Sequence, residues 1–217
     1  MKDSSADGAW NMSVDQALLN SVDETRLPTL RFYRWQPATL SLGYFQDYTH
    51  RETHKPSIHC DCVRRASGGG AILHDRELTY SLILPTENRW ADRNTDIYQT
   101  VHQAITKVFR DLQIELKTCE NSAREDFKNN RFLCFERRAD GDLLLDEFKV
   151  VGSAQRRSKK SILQHGSILL YRSEFAPELP GIFDLTNKQP VRELDVQEQL
   201  ISVISDALSY EPVFGQL

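Results

Sequence analysis

Cysteine is scarce in this chain, with only Cys60, Cys62, Cys119 and Cys134 among 217 residues. Four thiols so irregularly spaced do not make a disulfide framework, so reduced thiols are expected. Long apolar runs are missing as well. Nothing approaches the roughly 20 residues needed to span a bilayer, and the opening MKDSSADGAW lacks the apolar centre of a secretory signal. A cytoplasmic protein with no membrane partner is the expectation. Nor is there a basic excess: 27 Lys and Arg against 31 Asp and Glu give a net charge of -4, which argues against general nucleic-acid binding. Internal repeats and low-complexity tracts are absent too. What is present, 40% hydrophobic and 27% charged residues in 25.0 kDa, fits one soluble globular domain over residues 1–217.

The stretch Val63 to Leu84, VRRASGGGAILHDRELTYSLIL, organises the rest. Arg64 and Arg65 run into Gly68, Gly69 and Gly70, and Leu78, Tyr80, Leu82 and Leu84 then alternate as in a half-buried strand. Three adjacent glycines supply no side chain to pack, so they read either as a hairpin turn or as a place where something approaches the backbone closely. The flanking arginines favour an anionic or carbonyl-rich neighbour. The run matches neither the phosphate-loop pattern nor the spaced glycines of a dinucleotide fold.

Around this stretch, Ser13 and Gln16 have capping-box spacing, which predicts a helix from Ser13 to Glu24. Leu30 to Trp35 and Thr39 to Leu42 read as strands separated at Pro37, and Gln46 to Ser57 as a loop or short helix. A polar connection, Asn88 to Thr95, leads to the strongest amphipathic helix, Ile97 to Leu112. Ile114 to Leu116 reads as a strand and Thr118 to Arg131 as a polar surface loop. Ala139 to Gly141 is a turn, with Leu143 to Leu145 and Phe148 to Val151 as strands beyond it. Ile162 to Leu170 is a strand carrying the polar set Gln164, His165, Gly166 and Ser167, which must pair internally or face a cavity. Asp195 and Glu198 have capping spacing ahead of a last helix. Strands in the middle with helices around them predict an α+β (mixed α/β) fold, a mixed β-sheet flanked by helices.

Two residues could carry covalent chemistry. Lys149 lies between Phe148 and Val150 and should point opposite to both, either as an edge-strand charge in water or as an ammonium at a ligand site. Cys134 is either a small buried hydrophobe or, beside a cation, an activated nucleophile. His59, Cys60 and Cys62 lie close in sequence, but Cys62 enters a strand whose neighbours face opposite ways, so no metal is expected there. The basic run Arg156, Arg157, Lys159 and Lys160 is either a solvated loop or a contact for an acidic partner.

Four segments together carry a resemblance: RFYRWQPATLSLGYFQ (Arg31 to Gln46), RRASGGGAILHDRELTYSL (Arg64 to Leu82), the pair Cys134-Phe135, and KVVGSAQRRSKKSILQHGSILL (Lys149 to Leu170). In order and separation they resemble the lipoate-protein ligase A/B and biotin ligase family, and within it the LipM-type octanoyltransferases. The resemblance spans roughly residues 10 to 172. It implies a biotin ligase-like catalytic domain akin to class II aminoacyl-tRNA synthetases. It also implies octanoyl transfer from octanoyl-acyl carrier protein, through a thioester on Cys134, to a lysine of a lipoyl-domain protein such as glycine-cleavage H protein. Lys149 matches the family's lysine. Arg64, Arg65, Ser67, Gly68, Gly69, Gly70 and His74 would lie on the substrate, together with Gly152, Ser153, Ala154, Gln155, His165, Gly166 and Ser167. A transferase of this kind needs no cofactor, whereas the ligase branch would use ATP and Mg. Ser67-Gly68-Gly69-Gly70 is nearer the ligase form of the loop, and the segment after Cys134 departs from the transferase pattern. The chain also ends at Leu217, earlier than typical members. An ATP-dependent lipoate ligase and a non-catalytic binder of lipoyl domains or acyl groups are therefore the alternatives.

Overall fold

The computed structural model describes residues 2–86, 94–120, 131–158, 160–186, 188 and 192–213. Strand β1 (Lys2–Ala6) leads into helix α1 (Gly8–Thr25). Then come β2 (Thr29–Trp35), β3 (Thr39–Leu42), two short 3-10 turns (Tyr48–Thr53 and Lys55–Ser57) and β4 (Asp61–Arg64). Strands β5 (Ile72–His74) and β6 (Glu77–Pro85) precede α2 (Asn94–Asp111). The chain continues with β7 (Lys117–Thr118), β8 (Leu143–Leu145), β9 (Phe148–Arg157), β10 (Ser161–Leu169) and α3 (Glu193–Leu208). Seven strands form one sheet in the order β1-β2-β6-β10-β9-β8-β7, parallel only between β1 and β2. A second sheet, β4-β3-β5, also mixes parallel and antiparallel pairs.

Central position explains β6. All nine of its residues are buried, where the alternation predicted one wet face. Leu78, Tyr80, Leu82 and Leu84 join the large core with α2 and α3, whose apolar faces pack together over the sheet. On the other side Ile83 meets Leu19 and Val22 of α1, while the polar Glu77, Thr79 and Ser81 are buried in a hydrogen-bonded network. The polar side of the alternation is thus covered by protein rather than by water.

Three boundaries differ from expectation. Helix α1 starts at Gly8 because Asp7 accepts the Trp10 N–H at 2.7 Å, whereas the Ser13 hydroxyl merely bonds back to the Ala9 carbonyl inside the helix. Helix α3 starts at Glu193, with Asp195 paired to Arg192 rather than capping. Ile114 and Leu116 are buried, but the ladder begins only at Lys117, paired with Leu144. In addition, β9 runs on through the polar Gly152 to Arg157, because β10 pairs with it along that length. Most of the polar connection at 88–95, most of the loop at 118–131 and Lys159 of the basic run lie outside the described residues.

Candidate active site

Between the two sheets lies a cavity of ≈ 310 Å³, at the small end of the range of about 300–1,000 Å³ typical of ligand pockets. The glycine loop forms part of its wall, and the two arginines before it hold that wall in place. Arg65 is buried and donates to the carbonyls of Ser41 at 3.0 Å, Gly68 at 2.8 Å and Gly70 at 2.6 Å. Arg64 donates to the carbonyls of Gly43, Tyr44 and Gln46. The carbonyl-rich neighbour expected from sequence is therefore the protein's own backbone. Gly69 needs its freedom, since its φ is +98° and a Cβ there would come 3.0 Å from Arg65 Nη2.

Cys134 is tied to this loop by main-chain bonds. Its N–H donates to the Ala71 carbonyl at 2.7 Å, the Ala71 N–H donates to Phe132 at 3.1 Å, and the sulfur reaches the cavity at the start of a short 3-10 turn. Lys149 comes from β9 with its Nζ 3.9 Å from Cys134 Sγ and 2.8 Å from Asp142 Oδ2. It is buried, not an edge-strand charge in water. A bulge sets this direction: Leu143 pairs with Val151 but Leu144 with Lys149, so β9 carries an extra residue there. Val150 and Val151 are consequently both fully buried, and Lys149, Gly152 and Ala154 all reach the cavity. Burial works to lower the Lys149 pKa, but the charge of the Cys134 sulfur and the Asp142 carboxylate outweigh it and hold the ammonium above the ordinary lysine value.

The remaining polar lining is internally paired. His165 bonds to the Ser67 hydroxyl, and burial, helped by Arg65 and His74, pushes it down to about 3, so it is a neutral imidazole at physiological pH. His74 stacks on Trp35 at 3.9 Å and bridges Ser41, at 2.7 Å, to Glu77, which also accepts from Thr79 and Ser167. With these groups turned to one another, the wall offers mostly carbon to an occupant.

The structure brings most of the residues singled out from sequence to this cavity. Arg65, Gly68, Gly69 and His74 line one part of it; Cys134, Lys149 and Gly152 to Gln155 another; and His165, Gly166 and Ser167 complete it. Three lie just outside the lining: Arg64 on the loop carbonyls, Ser67 behind His165, and Gly70, packed on the backbone of Phe132 and Cys134. Sequence reasoning missed Asp142, hidden one residue past the turn at Ala139 to Gly141, and also Met12, Tyr33, Trp35, Ser41, Ile72 and Thr79. Asp140, Asp142, Asp146 and Glu147 all precede the lysine, and only the fold singles out Asp142 as its partner. None of the four cysteines is in a disulfide, and among the described residues no group of His, Cys, Asp and Glu is arranged to hold a metal ion.

The model of the lipoyl protein ligase A/B catalytic domain matches residues 7–177. The chain belongs to this family. Octanoyltransferase LipM of Halalkalibacterium halodurans is 40% identical over 198 residues, covering 86% of this chain and 70% of that protein. LipM of Bacillus subtilis is 40% identical and LipM of Staphylococcus aureus 39%, each over 76% of this chain and over 62% and 63% of their own lengths. The chain thus spans a little under two thirds of the length of the latter two. Among solved structures, lipoate-protein ligase A bound with ATP superposes with a TM-score of 0.75 at 20% identity, over 100% of this chain and 87% of that one. A lipoate protein ligase of Thermoplasma acidophilum, described with its E2 lipoyl domain, gives 0.71 at 20% identity over 100% and 85%. The fold is therefore that of the lipoyl ligase family. Among the described residues no helix is long and apolar enough to cross a membrane.

Proposed function

We propose that this lipoyl ligase family member is an octanoyltransferase of protein lipoylation, moving an octanoyl group from octanoyl-acyl carrier protein through Cys134 to a lysine of a lipoyl domain. The observation that carries the reading is the placement of Cys134 Sγ 3.9 Å from an ammonium that a buried carboxylate holds in position. The LipM relatives are named for this activity, which supports the substrate class.

The proposed reaction runs in two transfers. The thiolate is the nucleophilic form of a cysteine, and the Lys149 ammonium lies 3.9 Å from the Cys134 sulfur. The Cys134 thiolate attacks the carrier thioester, a new C–S bond forms and the old one breaks, and Lys149 gives its proton to the departing carrier thiolate. Acylation removes the negative charge from Cys134, one of the interactions keeping Lys149 protonated, while burial continues to favour the neutral amine. Lys149 then takes a proton from the acceptor lysine as that amine attacks the Cys134 thioester. Loss of the Cys134 thiolate restores the starting ion pair. Lys149 in its charged form also faces the oxyanion that develops on the carbonyl. Thioester exchange is nearly neutral and amide formation runs downhill, so no ATP enters this scheme. An acyl chain in the cavity would gain about 0.8 kcal/mol for each methylene removed from water.

Intact-mass measurement after mixing with octanoyl-acyl carrier protein should show one octanoyl adduct, absent in Cys134→Ala, and H protein should then discharge it. No adduct on the wild type, or full transfer by Cys134→Ala, would overturn the proposal. Modification of H protein that requires lipoate and ATP, with pyrophosphate exchange, would assign the chain to the ligase reaction instead.

A further inference from the structure

His102 is buried within α2, outside the lining of the cavity, and makes two hydrogen bonds that fix its protons. Nδ1 lies 2.7 Å from the Gly141 carbonyl, which can only accept, so that nitrogen carries the hydrogen. Burial keeps the ring neutral, with its pKa lowered to about 4, so Nε2 accepts from the Ser153 hydroxyl at 2.6 Å. Ser153 Oγ in turn accepts from Tyr80 at 2.6 Å, and Tyr80 accepts from Gln164 at 2.9 Å.

Both ends of the imidazole lie next to the reactive pair. Gly141 immediately precedes Asp142, the carboxylate that holds Lys149. Tyr98, one turn before His102 on α2 and 4.2 Å from it ring to ring, donates to Asp142 Oδ1 at 3.0 Å. Ser153 follows Gly152, whose missing side chain leaves the space that Lys149 occupies. We propose that His102 is a positioning residue for the reactive pair: its Nδ1–H holds the Gly141 carbonyl, and with it the adjoining Asp142, at the distance from which the carboxylate meets Lys149, while the Ser153 bond keeps the hydrogen on Nδ1. The inference rests on Cys134 and Lys149 being the reacting groups.

The test compares His102→Asn with His102→Gln. An Asn amide places an N–H where Nδ1 was and can keep the Gly141 bond; a Gln amide reaches toward the Nε2 end and gives that bond up. Single-turnover loading of Cys134 from octanoyl-acyl carrier protein is followed from neutral to alkaline pH, with thermal melting in parallel. Charged groups facing Lys149 are Cys134 on its 3-10 turn and Asp142 before β8, with the Phe135 ring 5.3 Å away. His102→Gln should load about tenfold more slowly, as small misplacements of reacting groups do, with its alkaline limb moved to lower pH because Asp142 no longer supports the ammonium. His102→Asn should stay within about threefold of wild type, although Asn is the poorer helix former and should melt lower. Equal loading by the two variants, or an unmoved alkaline limb in His102→Gln, would make His102 a residue of the fold alone. Failure of wild type to load Cys134 at all would remove the pair itself, and the positioning role with it.

Discussion

At Gly152 a Cβ would come 2.4 Å from Lys149 Cε and 2.9 Å from Nζ. Gly152→Ala must therefore displace the ammonium from Asp142, from Cys134, or from both. Octanoyl loading of Cys134 should fall by about tenfold or more. If the ammonium leaves Asp142 the melting temperature should fall as well, because a buried carboxylate then loses its partner, so loading is compared at a temperature where both proteins are folded. Unchanged loading kinetics would show that the position of Lys149 does not matter. The family resemblance placed Gly152 along an acyl chain, and strict alternation placed Lys149 opposite to Val150; neither brings Gly152 and Lys149 together. A bulge that inserts Val150 into the ladder does so, and the one compositional hint of a bulge in Phe148 to Ser153, Gly152, stands two residues beyond it. Asp142 was hidden for a related reason, since next to Gly141 it reads as turn chemistry until its burial against Lys149 is known. Arg64 and Arg65 were legible as carbonyl-seeking groups, but not as groups that seek carbonyls of their own chain.

Helix α1 illustrates what was legible in the elements. Its apolar stripe, including Val14 and Val22, showed that a helix exists, and Thr39 to Leu42 was found as a strand with its observed ends. The start of α1 was misplaced because Ser13 and Gln16 have capping spacing by coincidence, while the true first turns, Gly8 to Met12, carry no apolar period. Asp7→Ala should lower the unfolding free energy by about 1 kcal/mol, the usual worth of an N-cap. Ser13→Ala should leave it nearly unchanged or raise it slightly, since Ala is the better helix former and the Ser13 hydroxyl satisfies only a carbonyl already in the helix ladder. Urea unfolding of both variants checks this, and a larger loss for Ser13→Ala would return the cap to Ser13. The position of the helix matters for the site as well. It presents Asp15 to Arg31 at 2.8 Å and to Tyr33 and Ser81, the layer immediately beneath His165.

Over the whole molecule the main sheet acts as a partition, with the large apolar core under α2 and α3 and polar side chains crowded toward the cavity on the other side. This division could not be read locally, because the site draws on β2, β3, the glycine loop, the turn at Cys134, β9 and β10, which are distant in sequence. Its consequence is a chain that folds around neutral imidazoles. His102 and His165 have an ordinary value of 6.5, at which the unfolded chain binds protons, but burial holds them at about 4 and about 3 in the folded state. Between 6.5 and those values the unfolded chain therefore carries more protons, and unfolding becomes easier as the pH falls. Each imidazole contributes a slope of about 1.4 kcal/mol per pH unit within its window. Asp15 and Glu193, whose carboxyls burial raises, act in the opposite sense above their ordinary values of 3.8 and 4.5, so the share of each imidazole is read from the difference between wild type and its variant. Urea midpoints measured from neutral pH down to about 5 should fall steeply in the wild type. They should fall with a reduced slope in His102→Asn and in His165→Asn, whatever the absolute stability of each variant. A wild-type slope that persists in the double variant would mean that other groups take up these protons.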